Sequence, residues 1–149
     1  MITSALLSAL HVLTLALGLG AVYLRGRALA QPLDAAGWRR LLAADNAWGG
    51  AAALWIATGL GRVFLGGKET SFYWRNGFFW VKLALFACVF GLEMKPMTTF
   101  IRVRSALRRN APLPQFPVEA FRRINALELG LVVAIVFMAA FMARGAWLF

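Results

Sequence analysis

Two ionisable side chains lie inside apolar stretches of the chain, and both could bind a ligand. His11 is the only histidine, and it lies in an apolar run near the N-terminus. Lys82 lies in a second apolar run, residues 76–96, which also holds Glu93 near its far end. An ionisable group inside a membrane span is costly and usually has a function or a partner. An imidazole can ligate a metal and an ammonium group can neutralise an anion, so the pair predicts a cofactor or anion site.

The composition indicates that membrane spans position these two residues. Of the residues, 61% are apolar and only 15% are charged. About 20 apolar residues cross the hydrocarbon core as a helix, and the chain offers four such segments: 3–23, 46–65, 77–95 and 121–141. The sequence therefore predicts an all-α protein, an integral membrane four-helix bundle forming one transmembrane domain over residues 1–149. The first span is expected to be retained rather than cleaved as a leader.

The basic residues predict the orientation of the bundle. Most of them lie in the first and third connections, whereas the middle turn and the two ends hold only Arg62, Lys68, Arg75 and Arg144. By the positive-inside rule both termini face out and the two basic connections are cytoplasmic. Short interfacial helices are expected in these connections: one over 33–42, and one over 98–109 that continues from the third span as an amphipathic helix leaving the membrane. The net charge of +10 thus indicates anionic lipid as a partner rather than nucleic acid.

Three basic residues are expected at similar depths in the outer half of the membrane. With a rise of about 1.5 Å per residue, His11 lies roughly 12 Å and Lys82 roughly 8 to 9 Å from the outer edge. Arg62, near the outer end of the second span, completes a candidate trio for an anionic ligand such as a carboxylate or a haem propionate. The alternatives are that Arg62 and Lys82 snorkel to the headgroups and that His11 is a hydrogen-bonded packing residue.

Acidic and amide groups gather towards the opposite side of the membrane. They are Asp45, Asn46, Glu93, Asn125 and Glu128. One interpretation is interhelical hydrogen bonding that fixes the register of the helices. The other is a proton route or substrate site that includes Lys82, Glu128 and Asn125 as catalytic residues.

A single histidine limits the metal chemistry. Haem with two histidine ligands from one chain is excluded, whereas five-coordinate haem, a His/Met pair or ligation across a homodimer all remain open. A Ser/His/Asp hydrolase is not supported, because Ser4 and Ser8 flank His11 on one helix with no acid at that depth.

Three short motifs resemble the HemJ-type protoporphyrinogen oxidases. They are ALHV at 9–12, WVKL at 80–83 and FRRINALE at 121–128. The chain is also similar to a family of uncharacterised bacterial inner-membrane proteins built on that four-helix plan. The resemblance implies a membrane oxidoreductase containing haem b, with His11 as the ligand of the haem iron and Lys82 as a partner of the porphyrin or its carboxylates.

Two hypotheses about function follow. In the first, a multi-pass protein of the bacterial inner membrane binds haem b through His11, Arg62 and Lys82 and acts on a porphyrin or a similar anionic lipophilic substrate, with a quinone as another candidate partner. In the second, the protein is a non-catalytic membrane module, either an accessory subunit or a small-solute transporter, and its buried polar residues specify helix packing.

Overall fold

The computed structural model describes residues 2–66 and 69–147, and within them the chain forms helices and no strand. The helices are α1 (Ile2–Leu29), α2 (Ala35–Leu65), α3 (Thr70–Trp74), α4 (Gly77–Arg108) and α5 (Val118–Ala143). Lys68, which contributed to the predicted orientation, lies outside the described residues. The all-α class is therefore confirmed.

Three of the described helices are long and apolar enough to cross a membrane, namely α1, α4 and α5. They contain the predicted spans 3–23, 77–95 and 121–141. The predicted second span, 46–65, lies in α2, which does not reach the same apolarity. Alanine, glycine and tryptophan dominate this part of α2, and they carry less aliphatic surface than the leucine and valine of the other helices.

The interfacial helix expected over 33–42 is not a separate element, whereas the helical continuation expected over 98–109 is present as far as Arg108. Residues 35–42 begin α2, where the Asp34 side chain accepts a hydrogen bond from the backbone N–H of Gly37 at 2.7 Å and so caps the helix. Residues 98–108 continue α4 through Pro96. Proline removes one helical hydrogen bond, but Phe100 and Val103 beyond it are fully buried, and this burial favours continuation of the helix.

The long helices pack as two antiparallel hairpins. α1 packs along α2, α4 packs along α5, and the hairpins meet mainly where α1 contacts α5. By contrast, α2 and α4 pack against each other far less. This arrangement leaves room between α2 and α4.

Three apolar clusters follow one another along the bundle. The one nearest the basic connections includes Trp38, Leu41, Phe100 and Phe121. The central cluster comprises Ala21, Val22, Trp48, Trp55, Val89, Val132 and Ile135. The third joins Tyr73, Phe79 and Met142 beside α3. The two groups of polar residues described next are separated by the central cluster.

Candidate functional site

His11 and Lys82 line the same cavity, which we call the α2/α4 cavity. Its volume is about 230 Å³, and α1, α2, α3, α4 and α5 all contribute to its wall. It opens at the surface of the bundle, where Leu60 and Phe64 of α2 are 54% and 63% exposed. The structure thus brings together the two residues that depth alone had paired.

Hydrogen bonds hold the His11 ring in one orientation. Its Nδ1 lies 2.9 Å from the hydroxyl oxygen of Thr58. That hydroxyl also lies 2.8 Å from the carbonyl oxygen of Leu54, and when it donates its one proton there, it accepts a hydrogen bond from Nδ1–H. The tautomer with a proton on Nδ1 leaves a lone pair on Nε2. A histidine oriented in this way through one nitrogen is typical of metal ligands.

The space beside the His11 ring depends on a glycine. A Cβ atom at Gly59 would lie 3.3 Å from Cε1 of His11, and Gly59 itself lines the cavity. Any larger side chain here would occupy cavity volume next to the imidazole.

Two hydrogen-bond donors on the cavity wall have no acceptor among the described residues. Lys82 is half-buried, and its Nζ lies 5.2 Å from the centre of the Phe79 ring, but it makes no ion pair or hydrogen bond within residues 2–66 and 69–147. Trp55 is only 8% exposed, and its Nε1–H has no hydrogen-bond acceptor in the part of the chain that the structure describes. Buried polar groups normally have partners. The cavity therefore suits a ligand that carries hydrogen-bond acceptors or negative charge.

Arg62 does not join His11 and Lys82 on the cavity wall. Its neighbours Gly59 and Val63 line the cavity, whereas Arg62 is not among the lining residues. The backbone carbonyl of Arg62 accepts a hydrogen bond from the Tyr73 hydroxyl at 3.2 Å, which ties the end of α2 to α3.

The second group of polar residues, which we call the Arg25 cluster, surrounds a buried guanidinium. Arg25 is 1% exposed. Its Nε donates to Asn125 at 2.9 Å, Nη1 donates to Asp45 at 3.0 Å and Glu93 at 2.8 Å, and Nη2 donates to Glu93 at 2.9 Å and to Glu128. An arginine side chain has five N–H donors, and here every one has an acceptor. The cluster links α1, α2, α4 and α5.

Further contacts extend the Arg25 cluster. Arg104 donates to the other oxygen of Asp45 at 2.5 Å, and Nε1 of Trp48 donates to Glu93 at 3.1 Å. Two guanidinium groups thus face three carboxylates. Glu128 is fully buried, and its Oε1 has no hydrogen-bond partner among the described residues.

The Arg25 cluster is separate from the α2/α4 cavity. Glu93 follows Lys82 by eleven residues on α4, which corresponds to about 16 Å of helix. Val89 and Val132 of the central apolar cluster fill the level between them. Glu128 and Asn125, predicted to act with Lys82, therefore lie around Arg25 and not around the cavity.

Sequence reasoning missed the role of Arg25, which it counted only among the basic residues of the first connection. The signal was the set of acidic residues itself. Three carboxylates at one depth inside apolar spans need a cation, and Arg25 is the basic residue of α1 at that level. The acidic and amide grouping was otherwise correct, except that Asn46 is exposed.

Gly26 of α1 packs directly against Asn125 of the Arg25 cluster. Its substitution by alanine tests this close packing. A Cβ at Gly26 would come within 2.6 Å of Nδ2 of Asn125, a nitrogen that donates to the Val22 carbonyl at 2.9 Å. We expect Gly26→Ala to destabilise the protein by about 1–3 kcal/mol, the usual cost of overpacking. Gly20→Ala is the control, since nothing lies within 4 Å of its Cβ, and it should be neutral or stabilising. Thermal unfolding in mild detergent measures both; equal midpoints would contradict the close approach.

Comparison with known proteins gives a family match. The model of a family described as predicted membrane protein (DUF2214) matches residues 3–146. No curated protein and no solved structure matches the chain. The matched range contains both the α2/α4 cavity and the Arg25 cluster.

Proposed function

The chain belongs to the DUF2214 family of predicted membrane proteins, and on that premise we propose that it binds an anionic lipophilic cofactor, haem b, in the α2/α4 cavity. One observation carries the proposal: a histidine bonded through Nδ1, and a lysine with no counter-ion among the described residues, line the same apolar cavity. Both are candidate ligand contacts that packing alone does not require.

The residues of the cavity suit haem chemically. His11 would ligate the iron through Nε2, and Lys82 would pair with a carboxylate of the porphyrin. Trp55 and Phe86 offer aromatic surface on the wall. Haem bound in this way would supply one-electron redox chemistry, which is the chemistry that the resemblance to the HemJ-type oxidases implies.

The size of the cavity sets a condition on binding. Pockets for small molecules typically enclose about 300–1,000 Å³, and the α2/α4 cavity has about 230 Å³. The cavity would enclose part of a tetrapyrrole, and the rest of the molecule would extend through the opening beside Leu60 and Phe64. Because α2 and α4 pack little against each other, widening this opening breaks few helix contacts.

The proposed topology is a four-helix bundle in the bacterial inner membrane with both termini outside. α2 has 31 residues, about 46 Å of helix, which exceeds the roughly 30 Å of the hydrocarbon core. Its packing along α1 supports a fourth crossing despite its lower apolarity. The basic connections would then be cytoplasmic.

An oxidoreductase acting on a porphyrin or a quinone is the activity that follows from this site. Lys82 would contact the substrate or cofactor directly. Glu128 and Asn125 would take part in proton transfer only through the Arg25 cluster, since they do not line the cavity. A homodimer would supply the second imidazole that one chain lacks.

The direct experiment is a haem titration of the full chain purified in mild detergent. We expect a Soret band that shifts and saturates at one haem per chain. A folded protein that stays colourless with added haem would overturn the proposal and leave the non-catalytic membrane module as the better hypothesis.

Filling the cavity gives a test that leaves the proposed ligand residues intact. We expect Gly59→Leu to weaken haem binding by more than tenfold, because the new side chain occupies the space beside the His11 ring. Gly49→Leu on the same helix is the matched control, since a Cβ there meets nothing within 4 Å. The haem affinities of the two variants, measured by titration, should therefore differ. Equal affinities would place the haem outside the α2/α4 cavity.

A further inference from the structure

A second cavity lies between α1 and α2, and Arg25 is not among its lining residues. Its volume is about 680 Å³, and we call it the α1/α2 groove. Along α1 it is lined at positions 21, 23, 24, 27 and 28, with Gln31 just beyond the end of the helix, and along α2 at 40, 43, 44 and 47. These spacings of three and four residues place each set on one helix face, so the groove runs along the hairpin.

Polarity changes along the groove from one end to the other. Arg27, Gln31 and Arg40 lie at the end next to the α1–α2 connection, whereas Ala21 and Ala47 lie at the other end, further into the bundle. The end near the connection therefore offers charge, and the deeper end offers a smooth apolar surface of alanine side chains.

The two arginines of the groove are free to bind an anion. Arg27 and Arg40 are exposed, and neither forms an ion pair with any residue in the part of the chain that the structure describes. None of the described side chains that line the groove is acidic. The charge at this end is thus uncompensated.

From this gradient we propose that the α1/α2 groove binds one anionic phospholipid, with its phosphate between Arg27 and Arg40 and an acyl chain along the alanine surface. Basic pockets between membrane helices on the cytoplasmic side recognise such headgroups. Gln31 adds an amide donor at the same end. The site is independent of the α2/α4 cavity, so it holds whether or not haem binds there.

The test is native mass spectrometry of the full chain after exchange into detergent with added phosphatidylglycerol or phosphatidylcholine. Wild-type protein should retain one phosphatidylglycerol in preference to phosphatidylcholine. Each basic residue near the surface contributes about fivefold, so Arg27→Gln with Arg40→Gln should lower this retention by roughly 25-fold. Arg39→Gln with Arg102→Gln is the control of equal charge, since both side chains are exposed outside the groove.

A separate variant tests whether an acyl chain binds at the deeper end of the α1/α2 groove. Ala47→Phe fills the deeper end without touching the arginines, and Ala47 is exposed, so the fold should tolerate it. It should reduce phosphatidylglycerol retention at least fivefold, whereas Ala53→Phe, exposed on the same helix away from the groove, should not.

Three results would overturn the proposal. One is equal retention of the two lipids by the wild type, and another is an equal loss in the control pair. The third is displacement of phosphatidylglycerol by millimolar inorganic phosphate with no effect of Ala47→Phe, which would assign the arginines to free phosphate instead of a lipid.

Discussion

Replacement of Arg25 by methionine should destabilise the protein by about 3–5 kcal/mol, the range for removing one partner of a buried ion pair. The substitution keeps a long side chain but removes the cation from contact with Asp45, Glu93 and Glu128. Three carboxylates would then share a buried site with only Arg104 to balance them. Unfolding in mild detergent, followed by circular dichroism against denaturant or temperature, measures the loss.

Arg25→Lys separates charge from geometry in this cluster. Lysine keeps the positive charge but has three donors in place of five, so at least two of the hydrogen bonds to Arg25 would be lost. Each bond to a charged group contributes about 1.5–3 kcal/mol. The variant should therefore be clearly less stable than the wild type and more stable than Arg25→Met.

Two controls decide whether the Arg25 effect comes from the cluster. Arg39→Met removes an exposed arginine and should cost less than about 1 kcal/mol. Adding Glu93→Gln and Glu128→Gln to Arg25→Met should recover part of the stability, because it removes unbalanced carboxylates. If Arg25→Met behaves like Arg39→Met, the buried cluster does not form in the membrane protein.

The long helices could be predicted from the sequence because apolar runs define them. The fixed rise per residue placed His11 and Lys82 at similar levels of their helices, and both line the α2/α4 cavity. The two residues share a cavity because each also lies on a helix face that points towards the gap between α2 and α4, and the sequence alone does not determine that direction.

The directions of the arginines were harder to predict for the same reason. An arginine near the end of a span satisfies the positive-inside rule whether it points to water or into the bundle. Arg25 points inwards because three carboxylates from other helices accept hydrogen bonds from its guanidinium group. These partners are 20 to 103 residues away in sequence. Arg62 lies beside the cavity-lining residues of α2 without being one of them, a difference of helix rotation that the hydrophobic pattern does not resolve.

The helices are longer than the membrane spans predicted within them. α1 continues past residue 23 to Leu29, and α4 continues past Pro96 to Arg108, which agrees with the continuation expected over 98–109. Burial of Leu29, Phe100 and Val103 at the end of the bundle next to the basic connections outweighs the local signals, because tertiary packing supplies most of the stability of a helix.

His11→Ala should abolish the Soret shift in the haem titration, because the chain has no other histidine to ligate iron. Thr58→Val should weaken haem binding by about 10–100-fold, the usual effect of losing the group that orients a ligating histidine. Lys82→Met should weaken it by about tenfold, or 1.4 kcal/mol, without moving the Soret maximum, since it removes a charge partner and leaves the iron ligand.

Replacing His11 by glycine and adding free imidazole tests whether the imidazole group itself ligates the iron. His11→Gly opens space beside Gly59, so free imidazole added to that variant should restore the Soret shift if Nε2 is the ligand. Glu128→Gln is the negative control, because Glu128 lies seven residues before Ile135 of the cavity wall, about 10 Å along α5. Haem binding that survives His11→Ala, or that Glu128→Gln weakens as strongly as Thr58→Val does, would assign the haem to another part of the chain and leave the α2/α4 cavity to a ligand without iron.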